Sequence, residues 1–214
     1  MVSNTPVTPN QTRRPRSMWP LYLIVIMCLA PVVFALLAYY VPALGLRPTD
    51  HNNYGTLIQP QRPLPDAAAL SLRTLDGQPF DLASLDGKWI LVTADSAACP
   101  ESCVRKLFIL RNSHASQGKE VERLTRVWFV TDDEEIPEQV MEAYKGTHIL
   151  RADPAQLAAY LAPQADAAER EAALRAPMWI IDPLGNLMMQ FPANAEPTEV
   201  RDDIRKLLRN SRIG

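Results

Sequence analysis

The pattern of apolar and polar positions divides the chain into three regimes. From Met18 to Pro42 it reads M-W-P-L-Y-L-I-V-I-M-C-L-A-P-V-V-F-A-L-L-A-Y-Y-V-P, with no charge at all. As a helix, that run is long enough to cross a hydrocarbon core of about 30 Å. Trp19, Tyr22, Tyr39 and Tyr40 fall towards its two ends, where amphipathic rings favour the membrane–water boundary. Pro31 lies mid-span, which a membrane helix tolerates. Residues 43–66 carry Pro48, Pro60, Pro63 and Pro65 and read as a partly extended tether. From residue 67 to 214 short apolar runs alternate with helical periodicity, in a stretch long enough for one core.

Within that third regime, Leu70–Thr74 and Gln78–Leu82 predict strands around an Asp76-Gly77 turn. A strand over Trp89–Thr93 leads through a loop to a helix with Val104, Leu107, Phe108 and Leu110 on its apolar face. Arg126–Thr131 predicts a buried strand, Ile136–Tyr144 a helix, His148–Arg151 a strand and Pro154–Leu161 a helix. The alanine-rich stretch Ala165–Arg175 reads as helical. Met178–Ile181 and Leu187–Phe191 form a hairpin around Pro183-Leu184-Gly185, and Thr198–Asn210 closes the chain as an amphipathic helix. Such an order predicts an α/β fold in which helices cover a mixed sheet.

Charge sets the topology. Arg13, Arg14 and Arg16 precede the apolar run and only Arg47 follows it closely. The positive-inside rule then places residues 1–17 in the cytoplasm, 18–42 across the membrane and everything later on the outer side. A cleaved signal peptide is the competing reading; the length of the run and the lack of an A-x-A site oppose it. No Arg- and Ser-rich presequence precedes the span, which favours a bacterial inner membrane with a periplasmic domain. A net charge of −2, with 21% charged residues, gives no reason to expect nucleic-acid binding.

The candidate chemistry lies in C-P-E-S-C, Cys99 to Cys103. Pro100 suits a first helical turn. Both thiols therefore fall at or near a helix N-terminus, whose positive dipole end favours thiolate. At i, i+4 they share one helix face with Cβ atoms roughly 5–6 Å apart, so a small adjustment of the turn would close a disulfide. Such a pair can exchange disulfides, bind a soft metal ion or form a permanent staple. Glu101 and Ser102 between them would tune thiolate stability, the carboxylate of Glu101 opposing it. Asp95 reads as a loop-polar or capping residue, with a base or electrostatic role as the alternative. His114, His148 and His51 read as non-ligands, and Met178, Met188, Met189, Trp89 and Trp128 as core. Cys28, inside the apolar run, reads as a packing or lipid-facing residue.

The stretch L-S-L-R-T-L-D-G-Q-P-F-D-L-A-S-L-D-G-K-W-I-L-V resembles the opening of membrane-anchored extracytoplasmic thioredoxin-fold proteins. A-P-M-W-I-I-D-P-L-G, from Ala176, is similar to the segment that carries that family's cis-proline, which would make Pro177 that residue, packed on the Cys pair. C-P-x-x-C with three intervening residues, and R-V-W-F-V-T-D-D, resemble the Sco/SenC copper chaperones of cytochrome c oxidase assembly. The resemblance implies a thioredoxin-like fold and a copper site made of two Cys and a distant His. At the histidine position this sequence has Leu174, and its neighbours Arg175 and Ala176 are not ligands either. Two thiolates alone suit Cu(I) better than Cu(II) or zinc.

Three functions follow. In the first, a thiol–disulfide oxidoreductase acts on a client's cysteines, which the resemblance implies are those of the oxidase copper site, with Cys99 attacking and Cys103 resolving. In the second, the Cys99/Cys103 pair delivers Cu(I). The third is a non-catalytic assembly factor, whose Cys pair would be a staple closing too small a loop to stabilise much. The resemblance implies client thiols as partners, with oxidase subunit II or another copper chaperone among them.

Overall fold

The structure is a computed structural model that describes residues 17–41 and 53–214. The three arginines before the span, its last residue Pro42 and His51 lie outside those residues. The chain separates into two compact units, Met1–His51 and Asn52–Gly214. In the first, α1 (Trp19–Tyr40) is a helix with Pro31 inside it and no buried side chain. It is long and apolar enough to cross a membrane.

The second unit is a single eight-stranded mixed sheet with helices on both faces. Its strands are β1 (Thr56–Pro63), β2 (Leu72–Thr74), β3 (Pro79–Phe80), β4 (Trp89–Asp95), β5 (Leu124–Val130), β6 (His148–Ala152), β7 (Met178–Ile181) and β8 (Asn186–Phe191). Its helices are α2 (Glu101–Ala115), α3 (Glu138–Ala143), α4 (Pro154–Leu161), α5 (Arg170–Arg175) and α6 (Pro197–Asn210). The strand order is β1-β8-β7-β4-β5-β6-β2-β3. Strands β4, β5 and β6 run parallel, and β7 pairs antiparallel with β4.

Period-two alternation splits the core between the two faces. Trp89 and Leu91 of β4 join Trp128 and Val130 of β5 in a cluster with Leu107 and Leu110 of α2 and Val200 and Ile204 of α6. The intervening Ile90, Val92, Val127 and Phe129 face Leu157, Leu161 and Leu174 of α4 and α5. β4 is buried along its whole length, as a central strand covered on both faces must be.

Four expectations need correction. The stretch read as a partly extended tether contains a strand of the sheet: Thr56–Pro63 forms β1 on the outer edge of β8, pairing Thr56 with Gln190 and Arg62 with Leu187. An open β8 edge would leave unpaired backbone groups, and β1 covers it. Pro60 sits in the irregular stretch between Leu57 and Arg62, where no ladder N–H is needed. Only Arg170–Arg175 of the alanine-rich stretch is helical, because the Asp166 carboxylate accepts from the Ala168 and Glu169 N–H groups and forms a turn there. The cis peptide among the described residues precedes Pro60, not Pro177; α5 hands the chain through Ala176 straight into β7. On α2, Val104 and Phe108 face solvent, whereas Cys103, Lys106, Leu107 and Leu110 form the buried side.

The entry to this unit is tied to its last helix. The Asp203 carboxylate, buried on α6, accepts from the Tyr54 N–H at 2.7 Å and the Gly55 N–H at 2.9 Å. A Cβ at Gly55 would meet the Met189 side chain at 2.6 Å and the Phe191 ring at 2.9 Å, so a larger residue there would have to displace them. Asp203→Ala would leave two donors without their charged acceptor and should lower the Tm of the full chain by roughly 4–8 °C. An unchanged thermal transition in detergent would contradict this role.

Candidate functional site

The Cys pair lies where the parallel strands end. β4 finishes at Asp95, and the chain crosses Ser96–Pro100 before α2 begins at Glu101. Cys99 and Cys103 are joined in a disulfide with Cα atoms 5.0 Å apart, so the i, i+4 spacing does close. Cys99 is 6% exposed and Cys103 fully buried. Cys99 is thus the more accessible residue of the two, yet neither stands out in solvent. Pro100 is the N-cap of α2, one position ahead of the first turn. Its carbonyl accepts from the Val104 N–H at 3.0 Å.

The crossing loop is held by carboxylates. Asp95 Oδ1 accepts from the Ser96 N–H at 2.9 Å. Asp132, just past the end of β5, accepts from the Ala97 N–H at 3.1 and 3.2 Å through its two oxygens. The Cys99 N–H reaches back to the Ser96 carbonyl at 3.1 Å, and Cys99 adopts φ 43°. That is the left-handed region, uncommon for a residue with a Cβ.

Asp95 is therefore not a loop residue. It is a wholly buried carboxylate at the strand end, with the Lys106 ammonium 2.9 Å from Oδ2 and the Arg175 Nε 3.7 Å from Oδ1. Lys106, on α2 one turn beyond Cys103, also donates to the carbonyls of Ala94, at 2.9 Å, and Arg175. One ammonium thus joins β4, α2 and the C-terminal end of α5. Burial pushes the Lys106 pKa below its ordinary value, and contact with Asp95 opposes that shift. Arg175 is half exposed and also pairs with Glu171 at 2.6 Å.

Lys106 escaped the sequence reading because a lysine is normally a solvated residue. Its spacing held the signal: it is three residues after Cys103 and four before Leu110, on the face they share.

The other candidates lie apart from the pair. Leu174 is buried in the core face of α4 and α5. His148 opens β6 beside Val127, three residues before the end of β5, and faces the Phe80 ring. His114 is half-buried in the last turn of α2, where burial, followed by the Arg126 charge, lowers its pKa. Met178 and Met189 are core, Met188 packs against it, and Trp89 and Trp128 are buried. Pro177 is buried between α5 and β7, two residues after Arg175, whose carbonyl Lys106 holds. Cys28 is a free, exposed thiol on α1. Among the described residues no group of three or more His, Cys, Asp and Glu side chains is placed to hold a metal ion. The Cys pair itself supplies two sulfur donors.

Beside the α2 N-terminus, a cleft of about 640 Å³ runs between Glu101, Ser102 and Arg105 on one side and Ala172, Arg175 and Asn194 on the other.

Removing one member of the Asp95–Lys106 pair strands a buried charge. Asp95→Asn or Lys106→Met should each cost about 3–5 kcal/mol, and the double variant Asp95→Leu with Lys106→Met should recover much of that loss. Denaturant unfolding of the three variants checks this; additive losses would contradict a coupled pair.

Residues 89–211 match the family described as the transmembrane-like, thioredoxin-like, C-terminal domain. Among curated proteins no sequence matches this chain. Solved structures share the fold. A thiol:disulfide interchange protein from Chlorobium tepidum is 19% identical with a TM-score of 0.51, over 71% of this chain and 99% of that one. A putative electron transfer protein from Aquifex aeolicus is 18% identical with a TM-score of 0.51, over 70% and 98%. Copper-bound yeast Sco1 is 15% identical with a TM-score of 0.50, over 76% and 96%. At these identities the likeness concerns the fold, which is thioredoxin-like. With its family match spanning more than half its length, the chain belongs to the transmembrane-like, thioredoxin-like C-terminal domain family.

Proposed function

We propose that this protein is a membrane-tethered thiol–disulfide oxidoreductase whose working couple is Cys99 and Cys103. In this reading residues 1–17 lie in the cytoplasm, 18–42 cross a bacterial inner membrane, and the thioredoxin-like unit works in the periplasm. Its clients are protein thiols, with the copper-site cysteines of cytochrome c oxidase as the setting that the Sco/SenC resemblance suggests.

The observation that carries the reading is the surroundings of the pair. Two cysteines at the head of a helix are backed by a buried Asp95–Lys106 ion pair, with a second cation, Arg175, at the same carboxylate. The positive end of the α2 dipole favours a thiolate at the head of that helix. Where the copper chaperones would place a third ligand stand Leu174, which is buried, and Arg175, which is a cation. A cation neither ligates Cu(I) nor favours its approach.

The chemistry balances as follows. The Cys99 thiolate attacks a client disulfide and forms a mixed disulfide, and one client sulfur leaves as thiolate. Cys103 thiolate then attacks Cys99 Sγ, releases the second client thiolate and leaves the Cys99–Cys103 disulfide. Two electrons pass to the client, and an external dithiol must restore the pair. Delivery of Cu(I) as cargo is the second reading, because two sulfur donors are present and a shared-fold neighbour, yeast Sco1, is copper-bound.

One experiment separates them. The reduced, anaerobic full chain is mixed with a disulfide-bonded dicysteine peptide, and in parallel titrated with Cu(I) against a competing chelator. Wild type should reduce the peptide, Cys103→Ser should accumulate the mixed disulfide and Cys99→Ser should do neither, while Cu(I) binding should not exceed that of Cys99→Ser. Tight stoichiometric Cu(I) binding lost in Cys99→Ser, with no peptide reduction, would replace the redox reading with copper delivery.

A further inference from the structure

The disulfide is shut in: Cys103 is fully buried and Cys99 is 6% exposed. Exchange requires an incoming thiolate to reach a sulfur in line with the S–S bond, so the Ser96–Pro100 loop must move first. Two features determine how easily it moves. Cys99 sits at φ 43°, a conformation that a side-chain-bearing residue leaves readily unless its surroundings hold it. What holds the loop from outside is the Asp132 carboxylate, bonded through both oxygens to the Ala97 N–H two residues before Cys99.

Asp132 is itself well fixed. Its carbonyl accepts from Arg151 Nη1 at 2.5 Å, and Arg151 Nη2 donates to the Glu134 carbonyl at 2.8 Å. Its side chain is nevertheless only half-buried and lines two clefts of about 330 and 390 Å³ on the rim where β5 and β6 end. The carboxylate is therefore reachable from outside while the sulfurs it guards are not.

We propose that Asp132 is a positioning residue, a latch that keeps the Cys99–Cys103 disulfide closed to thiols until the Ala97 N–H is released. The latch concerns the protein's own disulfide and any thiol, so it stands or falls separately from the client-reduction reading that it deepens. On release, an attacking thiolate bonds to Cys99 Sγ, and the S–S electron pair leaves on Cys103 as thiolate. The second thiol of a dithiol then attacks the mixed disulfide, frees Cys99 and leaves the dithiol oxidised.

The test follows reduction of the oxidised full chain in detergent by dithiothreitol, read by alkylation of the new thiols. Asp132→Ala keeps the Arg151 contact, which uses the backbone carbonyl, but removes the acceptor. It should be reduced about tenfold faster, the factor that about 1.4 kcal/mol carries for one charge-assisted hydrogen bond. Asp132→Asn retains an acceptor oxygen without the charge and should be reduced about threefold faster than wild type, well short of Asp132→Ala. Equal rates for wild type and Asp132→Ala would overturn the latch, and so would Asp132→Asn reacting as fast as Asp132→Ala. Amide exchange at Ala97 in the wild-type protein needs no variant. The N–H should be protected in the oxidised form and exchange faster after reduction; equal exchange in both forms would also overturn the proposal.

Discussion

The Lys106 ammonium is the contact on which the site's architecture depends. A buried amine without partners would be expensive, and this one has three: the Asp95 carboxylate and the carbonyls of Ala94 and Arg175. Those partners belong to the end of the central strand, to its last backbone step and to the final residue of α5. The ion pair therefore does more than neutralise a charge. It fixes the distance between the strand that leads into the Cys loop, the helix that follows it and the segment that leads to Pro177. Apolar packing alone would hold these elements together less selectively, because methyl and methylene contacts are non-directional.

Around that contact the fold distributes its tasks plainly. β4 supplies a rigid rail, buried on both faces, that ends at Asp95. α2 carries Cys103 and Lys106 on one side and presents Val104 and Phe108 to solvent on the other. α5 brings Arg175 to the far oxygen of Asp95. Residues 54–63 are integrated rather than idle: β1 completes the sheet edge and Asp203 binds its entry.

Much of this was legible in the sequence, for identifiable reasons. The Trp89-Ile-Leu-Val run, the paired turns at Asp76-Gly77 and Pro183-Leu-Gly185, and the amphipathic last helix have strong periodicity and clear punctuation, and they fold where the pattern puts them. The Cys spacing announced a closable pair, and the pair closes. What escaped depended on long-range partners. β1 is strand only because β8 offers it an edge 134 residues later, as the pairing of Thr56 with Gln190 shows. Its prolines argue locally for a tether. Lys106 and Asp95 each look solvent-facing in isolation, and only their meeting across the strand–helix junction makes burial tolerable. Likewise the role of Asp132 depends on the end of β5 lying beside the loop after β4, a consequence of parallel pairing.

The central claim is that Cys99 and Cys103 form a couple that cycles and not a fixed staple. The measurement that bears on it most directly is the midpoint potential of the pair in the full chain, equilibrated in a series of dithiol buffers and read by alkylation. A working couple should titrate as a two-electron step between about −120 and −270 mV, the span of thioredoxin-fold oxidoreductases. A disulfide that stays closed below about −300 mV would behave as a structural cross-link and would contradict the account.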